Sequence, residues 1–433
     1  MDMPRNKHFH SLRYQPHHGH HSLLLQQSHI NGPALCFNPT RARFAYDDSK
    51  KHHFADGQAT PVESTGDKEN LGRRRAHRIS FEWRSRNNRK GRSLFIVHLP
   101  RTESEAKDSL FLVPQPTASI RPVLRNIGLM FTYYPYWDIS YLIGILFTLG
   151  SVVWVINSFF AWLPLDDPGT VLTNEVLTGG GVTAFIGATI FELGSVLLVL
   201  EAMNANHEGC FGWAVVEALQ GIAELETGGT LLQVIRKEDE RDHHYNRSSL
   251  LGTPTSVSPP SDPMKLSDQS DTISWQWLPS LHELRTHYMR EIGFLASLSQ
   301  LVGATIFWIS GLTALPGINN KMSQGLLDGL YWTPQIVGGT GFIVSGVLFM
   351  LETQRNWYVP EPRSLGWHIG LWNLIGAFGF TLCGALGPAY NNSGAQYEAS
   401  LATFWGSWSF LIGSVIQWYE SLGKWVVEHV RDE

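Results

Sequence analysis

Cysteine is scarce in this chain. The three in 433 residues, Cys36, Cys210 and Cys383, stand too far apart to form a disulfide framework or a zinc site. Charge is scarce where it would cost most: charged residues make up 16% of the chain and are nearly absent from six long apolar runs. Catalytic fingerprints are missing too. There is no GxSxG, Walker or dinucleotide motif, and His282 and His287 stand five apart around Glu283, whereas a zinc-protease helix needs a spacing of four. We therefore expect no catalysis, no cofactor and no metal site. The N-terminal stretch MDMPRNKHFHSLRYQ has no continuous apolar core, which argues against a cleaved secretory signal.

What the chain does have is membrane-length hydrophobicity. The mean hydropathy of -0.10 averages two unlike parts. The first 135 residues are rich in His, Arg and Ser; the remainder carries the apolar runs, each roughly 20 residues or more, enough to span a bilayer as a helix. The spans predicted from them are 139–163, 177–203, 292–315, 329–351, 366–386 and 399–422, the odd ones stopping at or near Pro164, Pro316 and Pro388. Tyr133, Tyr134, Tyr136 and Trp137 precede the first run and suit the headgroup level. The expected fold is all-α integral membrane: six transmembrane helices as three tandem two-helix hairpin repeats, with a disordered N-terminal tail.

The repeat shows in a spacing of seven. Gly187, Gly194 and Glu201 correspond to Gly338, Ser345 and Glu352, and to Gly406, Gly413 and Glu420. Phe191, Phe342 and Phe410 share a register, as do Val196, Val347 and Val415. The odd helices repeat as well, pairing Gly150 with Asn157, Gly303 with Ser310 and Gly376 with Cys383. Seven residues advance a helix to within about 20° of two full turns, so each set lines one face. The small residues should let paired helices approach closely in lipid, where apolar burial gives no drive for association.

Two readings exist for Glu201, Glu352 and Glu420. One is an ion pair with a neighbouring hairpin, for instance through Arg290 or Arg363; the other is a ring of three carboxylates about a pseudo-threefold axis, attracting cations. Glu192 belongs to no repeat, its equivalents being Ile343 and Leu411. An ionisable group at mid-membrane is a functional candidate. A partner such as Asn157 or a backbone carbonyl would make it structural instead.

The chain divides into 1–126, a basic, His-rich and mostly disordered cytosolic tail; 127–203, the aromatic approach and hairpin 1; 204–290, a cytosolic loop; 291–353, hairpin 2; and 354–433, hairpin 3 with a short tail. Residues up to about 70 read as disordered. RISFEWR and SLFIVHL flank RNNRKG and predict a β-hairpin over 78–98. The surrounding basic block (Arg73, Arg74, Arg75, Arg78, Arg84, Arg86, Arg89, Lys90, Arg92) contains no nucleic-acid module, so it reads as a topology signal in a flexible tail. In the loop, 211–226 predicts an amphipathic helix with Glu217, Gln220 and Glu224 on one side.

Lys and Arg concentrate at the tail, at 204–290, at the loop after the fourth helix and at the C-terminal tail, which places both termini in the cytosol. The expected partners are the lipid bilayer, with protein partners meeting 1–126 and 204–290, and no nucleic acid. Asn391 heads a glycosylation sequon in a short outer loop; the sequon at Asn246 should stay bare.

YYPYWDISYLIG followed by FTLGSVVWVIN, Tyr133 to Asn157, resembles the polytopic integral membrane proteins of filamentous fungi, an uncharacterised family. The F-x-x-G-S pattern at Phe191 to Ser195 and L-I-G-S at Leu411 to Ser414 resemble the small YrhK-like membrane domain over the hairpins alone. Neither resemblance implies an activity or catalytic residues. Mitochondrial carriers also use three two-helix repeats, but the residues after Pro164, Pro316 and Pro388 lack that family's acid-then-base pattern. The expected function is that of a non-enzymatic scaffold or regulatory membrane component, the alternative being a proton- or cation-linked transporter or channel using Glu192.

Overall fold

The computed structural model describes residues 23–25, 31–34, 36–46, 74–76, 78–99, 111–113, 115–205 and 275–431. The amphipathic helix expected at 211–226 lies outside these residues. Among the described residues, six helices are long and apolar enough to cross a membrane. We number those that matter here α3 (Ile139–Asp166), α4 (Gly181–Met203), α5 (Ile292–Thr313), α6 (Thr333–Thr353), α7 (Leu365–Leu386) and α8 (Ser393–Leu422). The protein is a multi-pass membrane protein built of three hairpins, α3/α4, α5/α6 and α7/α8.

The hairpins close into a ring. Each helix packs on its partner and on the next hairpin, α4 on α5, α6 on α7 and α8 back on α3. Val196, Val347 and Val415 face outward, about 40% exposed each, as lipid-facing residues should. Phe191, Phe342 and Phe410 point to the ring axis and are buried. One repeat register thus separates the lipid face from the axis.

Close approach within hairpins follows from the small residues. A Cβ at Gly338 would lie 2.7 Å from the Gly303 carbonyl oxygen, and one at Gly303 would lie 2.8 Å from the Gly338 oxygen. Gly187 backs on Trp154, Gly194 on Phe147, Gly406 on Gly376 and Gly413 on Asn373, while Ser345 is buried. Among the helix boundaries that differ from expectation, two have a clear local cause. Helix α3 continues through Pro164 to Asp166, because a proline in a last turn removes only one terminal hydrogen bond. Helix α8 starts at Ser393 rather than 399, because Asn392 caps it, accepting from the Gly394 and Ala395 amides.

The described parts of the N-terminal segment form strands. Strands β1 (Leu23–Leu25), β2 (Arg41–Tyr46), β4 (Arg78–Arg84), β5 (Ser93–Leu99) and β7 (Trp425–Arg431) form one sheet in the order β1-β2-β4-β5-β7. The expected hairpin is its β4–β5 pair, joined by a single helical turn, α1 (Ser85–Arg89). A lone hairpin would be marginal; here β2 flanks it antiparallel and β7, arriving from the end of α8, flanks it parallel. A second, two-stranded sheet pairs β3 (Arg74–Ala76) with β6 (Phe111–Val113).

Before α3 lies α2 (Ile120–Thr132), whose Ile120, Leu124, Ile127 and Phe131 form an exposed apolar stripe at helical spacing. Exposed Tyr133, Tyr134 and Tyr136 continue it.

Candidate functional site: a basic turn seated in a carboxylate ring

Glu201, Glu352 and Glu420 end the repeat stripes of α4, α6 and α8, so they meet at one axial mouth. All three are buried, at 0%, 2% and 2% exposure. Their partners are not Arg290 or Arg363. The β4–β5 turn inserts Arg86, Arg89, Lys90 and Arg92 into the ring, where the first three are at most 5% exposed. Arg89 grips Glu352 bidentately, donating from Nη1 and Nη2 at 3.0 and 2.8 Å, and Ser85 Oγ donates to the same carboxylate at 2.6 Å. Arg86 and Arg92 donate to the two oxygens of Glu420 at 2.7 and 2.6 Å. Glu201 accepts from Ser140 Oγ and lies 3.4 Å from Arg89 Nε and 3.7 Å from Lys90 Nζ.

The odd helices make room in the same register. Ser140, Gly293 and Gly366 occupy equivalent positions; a Cβ at Gly293 would fall on the Arg89 guanidinium and one at Gly366 on the Arg86 side chain. Ser140 carries the hydrogen bond to Glu201 where the other two repeats leave space for arginine. Arg89 also lies over the Phe349 ring, 5.4 Å from its centroid.

Four cations thus face three carboxylates in a water-poor mouth. Arg89 is held above the ordinary arginine value: burial lowers it, but Glu352 and Glu201 outweigh burial. Lys90 is the odd member. Its Nζ makes no hydrogen bond among the described residues, and burial, opposed by Glu201 but aided by Arg86, holds it down to about 8. Lys424, just past α8, closes the rim by bonding the Lys90 carbonyl at 2.8 Å and Asp138 at 2.6 Å. A second group lies beside the ring. Arg41 donates to the Thr353 carbonyl and pairs with Glu82 at 3.6 Å and Glu361 at 3.5 Å.

No family model, curated protein or solved structure matches the chain, so geometry alone points to its function.

Inward from the ring the axis alternates between space and aromatic rings. A cavity of about 30 Å³, room for about one water, touches Arg86, Arg89 and Lys90; its wall mixes Gln300, Asn373 and Gln417 with Phe147, Phe191 and Phe410. Next come two stacked aromatic triads. Phe191 and Phe342 lie 5.6 and 6.3 Å from Phe410; Trp154, Phe307 and Phe380 touch one another with centroids 4.9–5.7 Å apart. Beyond them a vestibule of about 360 Å³ reaches the hairpin turns at the far end. From the level of Ser140 to that of Asn157 the path is about 25 Å at 1.5 Å per residue.

Asn157 lines the vestibule. Its amide donates to the Gly180 carbonyl at 2.6 Å and to Thr183 Oγ1 at 3.0 Å, which holds the α3/α4 turn. Glu192 lies elsewhere. It faces the outer seam between α4 and α5, where Thr305 Oγ1, itself exposed, donates to Glu192 Oε1 at 2.9 Å. The structure does not bring Glu192 and Asn157 together, and Glu192 lines neither axial cavity.

Sequence reasoning missed the basic turn as a functional element. The signal was present: four cations inside an eight-residue turn between two alternating strands, against three carboxylates ending repeated stripes.

Proposed function

We propose that this is a non-enzymatic, regulatory membrane component, a six-helix ring around an axial passage that its own basic turn holds shut. The observation that carries the proposal is the seating of Arg86, Arg89 and Arg92 on a threefold set of glutamates at the mouth of that axis. Paired buried charges give little net stability but a defined register, which suits a seal better than a strut. The two cavities lie along the same axis, and the contacting aromatic triads between them form a second closure that must part for the passage to open. Both termini and the sheet face the cytosol, from the Lys and Arg distribution, so the seal responds to cytosolic partners meeting 1–126 and 204–290.

Glu192 is not needed for this passage; its place at the lipid-facing seam favours a contact with lipid or another protein over axial ion handling. The test uses the full chain in vesicles. Osmotic swelling with glycerol and urea, and potassium conductance, should be low for the wild type and should rise when Arg86→Ala and Arg92→Ala together loosen the turn. Loosening confirmed by proteolysis without a rise for any of these solutes would overturn the passage. It would leave a scaffold whose sheet is simply clamped to its bundle.

A further inference from the structure

The vestibule has a composition of its own. It draws on all three hairpins: Asn157 from the first, Ser310 and Gln335 from the second, Cys383 and Thr403 from the third. These are repeat equivalents. Asn157, Ser310 and Cys383 share the odd-helix register; Gln335 and Thr403 share the even-helix register, whose third member is Ala184. A threefold ring of hydrogen-bonding side chains therefore sits directly above a floor of three rings, Trp154, Phe307 and Phe380. Gln335 Nε2 donates to Ser310 Oγ at 3.0 Å, which fixes the carboxamide against the wall.

Among the described residues, no Asp, Glu, Lys or Arg lines the chamber. An ion entering it would lose hydration without a counter-charge, a cost of several kcal/mol for an unpaired ion. A neutral molecule loses far less, and polar edges on it find amide and hydroxyl partners. The aromatic floor favours a flat π-face, since offset or edge-on ring contacts add to simple burial. A chamber of about 360 Å³ lies within the range of small-molecule sites.

We infer that the vestibule is a binding site for an uncharged, planar aromatic molecule, its ring face on Trp154, Phe307 and Phe380 and its polar edge on Gln335, Ser310 and Asn157. The site rests on the passage reading only in that it would be that passage's outer chamber; binding itself requires no flux.

Cys383 gives the test a reporter inside the chamber. The full-length Cys36→Ser/Cys210→Ser protein in nanodiscs is labelled with neutral N-ethylmaleimide, with indole, indole-3-acetate or tryptamine present. These probes share a ring and differ in charge. Indole should slow labelling of Cys383 at concentrations at least tenfold lower than either charged relative. In Gln335→Leu, which keeps the volume but loses the amide, protection by indole, measured against that variant's own labelling rate without indole, should weaken several-fold. Equal protection by all three probes, no protection by indole, or a Cys383 that never labels would overturn the site. Protection by indole in a protein that passes no solute would keep the site and discard the passage.

Discussion

Replacing Glu352 by Gln tests the ion lock at its best-formed pair. Glu352 accepts both Arg89 Nη atoms and Ser85 Oγ, and the substitution removes the charge with almost no change in volume. Arg89 would then keep Glu201, 3.4 Å from its Nε, as its ion-pair partner. Leaving a buried charge wholly uncompensated costs about 3–5 kcal/mol; with Glu201 still beside Arg89 the cost should fall at the lower end, about 3 kcal/mol. At about 1.4 kcal/mol per factor of ten, opening of the turn should increase by roughly two powers of ten. Hydrogen exchange of the β4 and β5 amides in nanodiscs reads that opening directly. The discriminating control is the double replacement Arg89→Leu with Glu352→Leu. Exchanging the whole pair for apolar side chains should restore much of the protection that either single change removes, giving a coupling energy above ~1 kcal/mol. Unchanged protection in Glu352→Gln, or strictly additive single changes, would refute the buried lock.

Three further outcomes are expected from other parts of the molecule. Lys90 sits at about 8 in the docked state against an ordinary value of 10.5, so below about 8 it is charged in both states and docking carries the full cost, on the order of 3 kcal/mol. Between those values the undocked chain binds more protons, so docking should strengthen as pH rises; Lys90→Met should protect β4 and β5 better at pH 7 and flatten that dependence, and a weaker cap in Lys90→Met would contradict it. Gly338→Ala puts a Cβ 2.7 Å from the Gly303 carbonyl oxygen, forcing α5 and α6 apart at a cost of about 1–3 kcal/mol; unfolding in SDS-titrated micelles should shift to lower SDS, and an unshifted midpoint would show that the hairpin does not depend on that approach. Helix α2 should lie in the membrane interface: a spin label at Leu124→Cys in a cysteine-free background should collide with oxygen more than with a nickel chelate, one at Arg121→Cys the reverse, and equal collision ratios would exclude that placement.

The membrane part was legible because its signals are local. Apolar runs of bilayer length and a spacing of seven placed the six helices and put Glu201, Glu352 and Glu420 on equivalent faces. What the carboxylates bind was not legible. Arg89 and Glu352 are 263 positions apart, and a run of arginines reads as solvated surface unless a counter-charge is known to meet it. Gly293 and Gly366 could have hinted at the guanidinium groups, but glycine at a helix start has many uses. Strand β2 alternates only briefly in RARFAY, a pattern too short to distinguish from a loop. Glu192 drew interest as a lone carboxyl in an apolar helix, and only the ring closure of α4 on α5 reveals Thr305 beside it.

The pairing of β5 with β7 has a consequence for the order in which the molecule is made. The two strands run parallel and side by side, yet the whole membrane ring is the connection between them. While the ribosome is still producing hairpins 1 and 2, the turn at Ser85–Arg89 has neither Glu420 nor its neighbouring strand. Arg86 and Arg92, which Glu420 holds in the finished ring, must wait for it. Only when Trp425–Arg431 emerges can the sheet gain its last strand and the turn find all three carboxylates. Docking of the cap therefore reports that hairpin 3 and its strand are in place: a product stopped before them, or mis-inserted, would display a basic turn that the assembled ring hides.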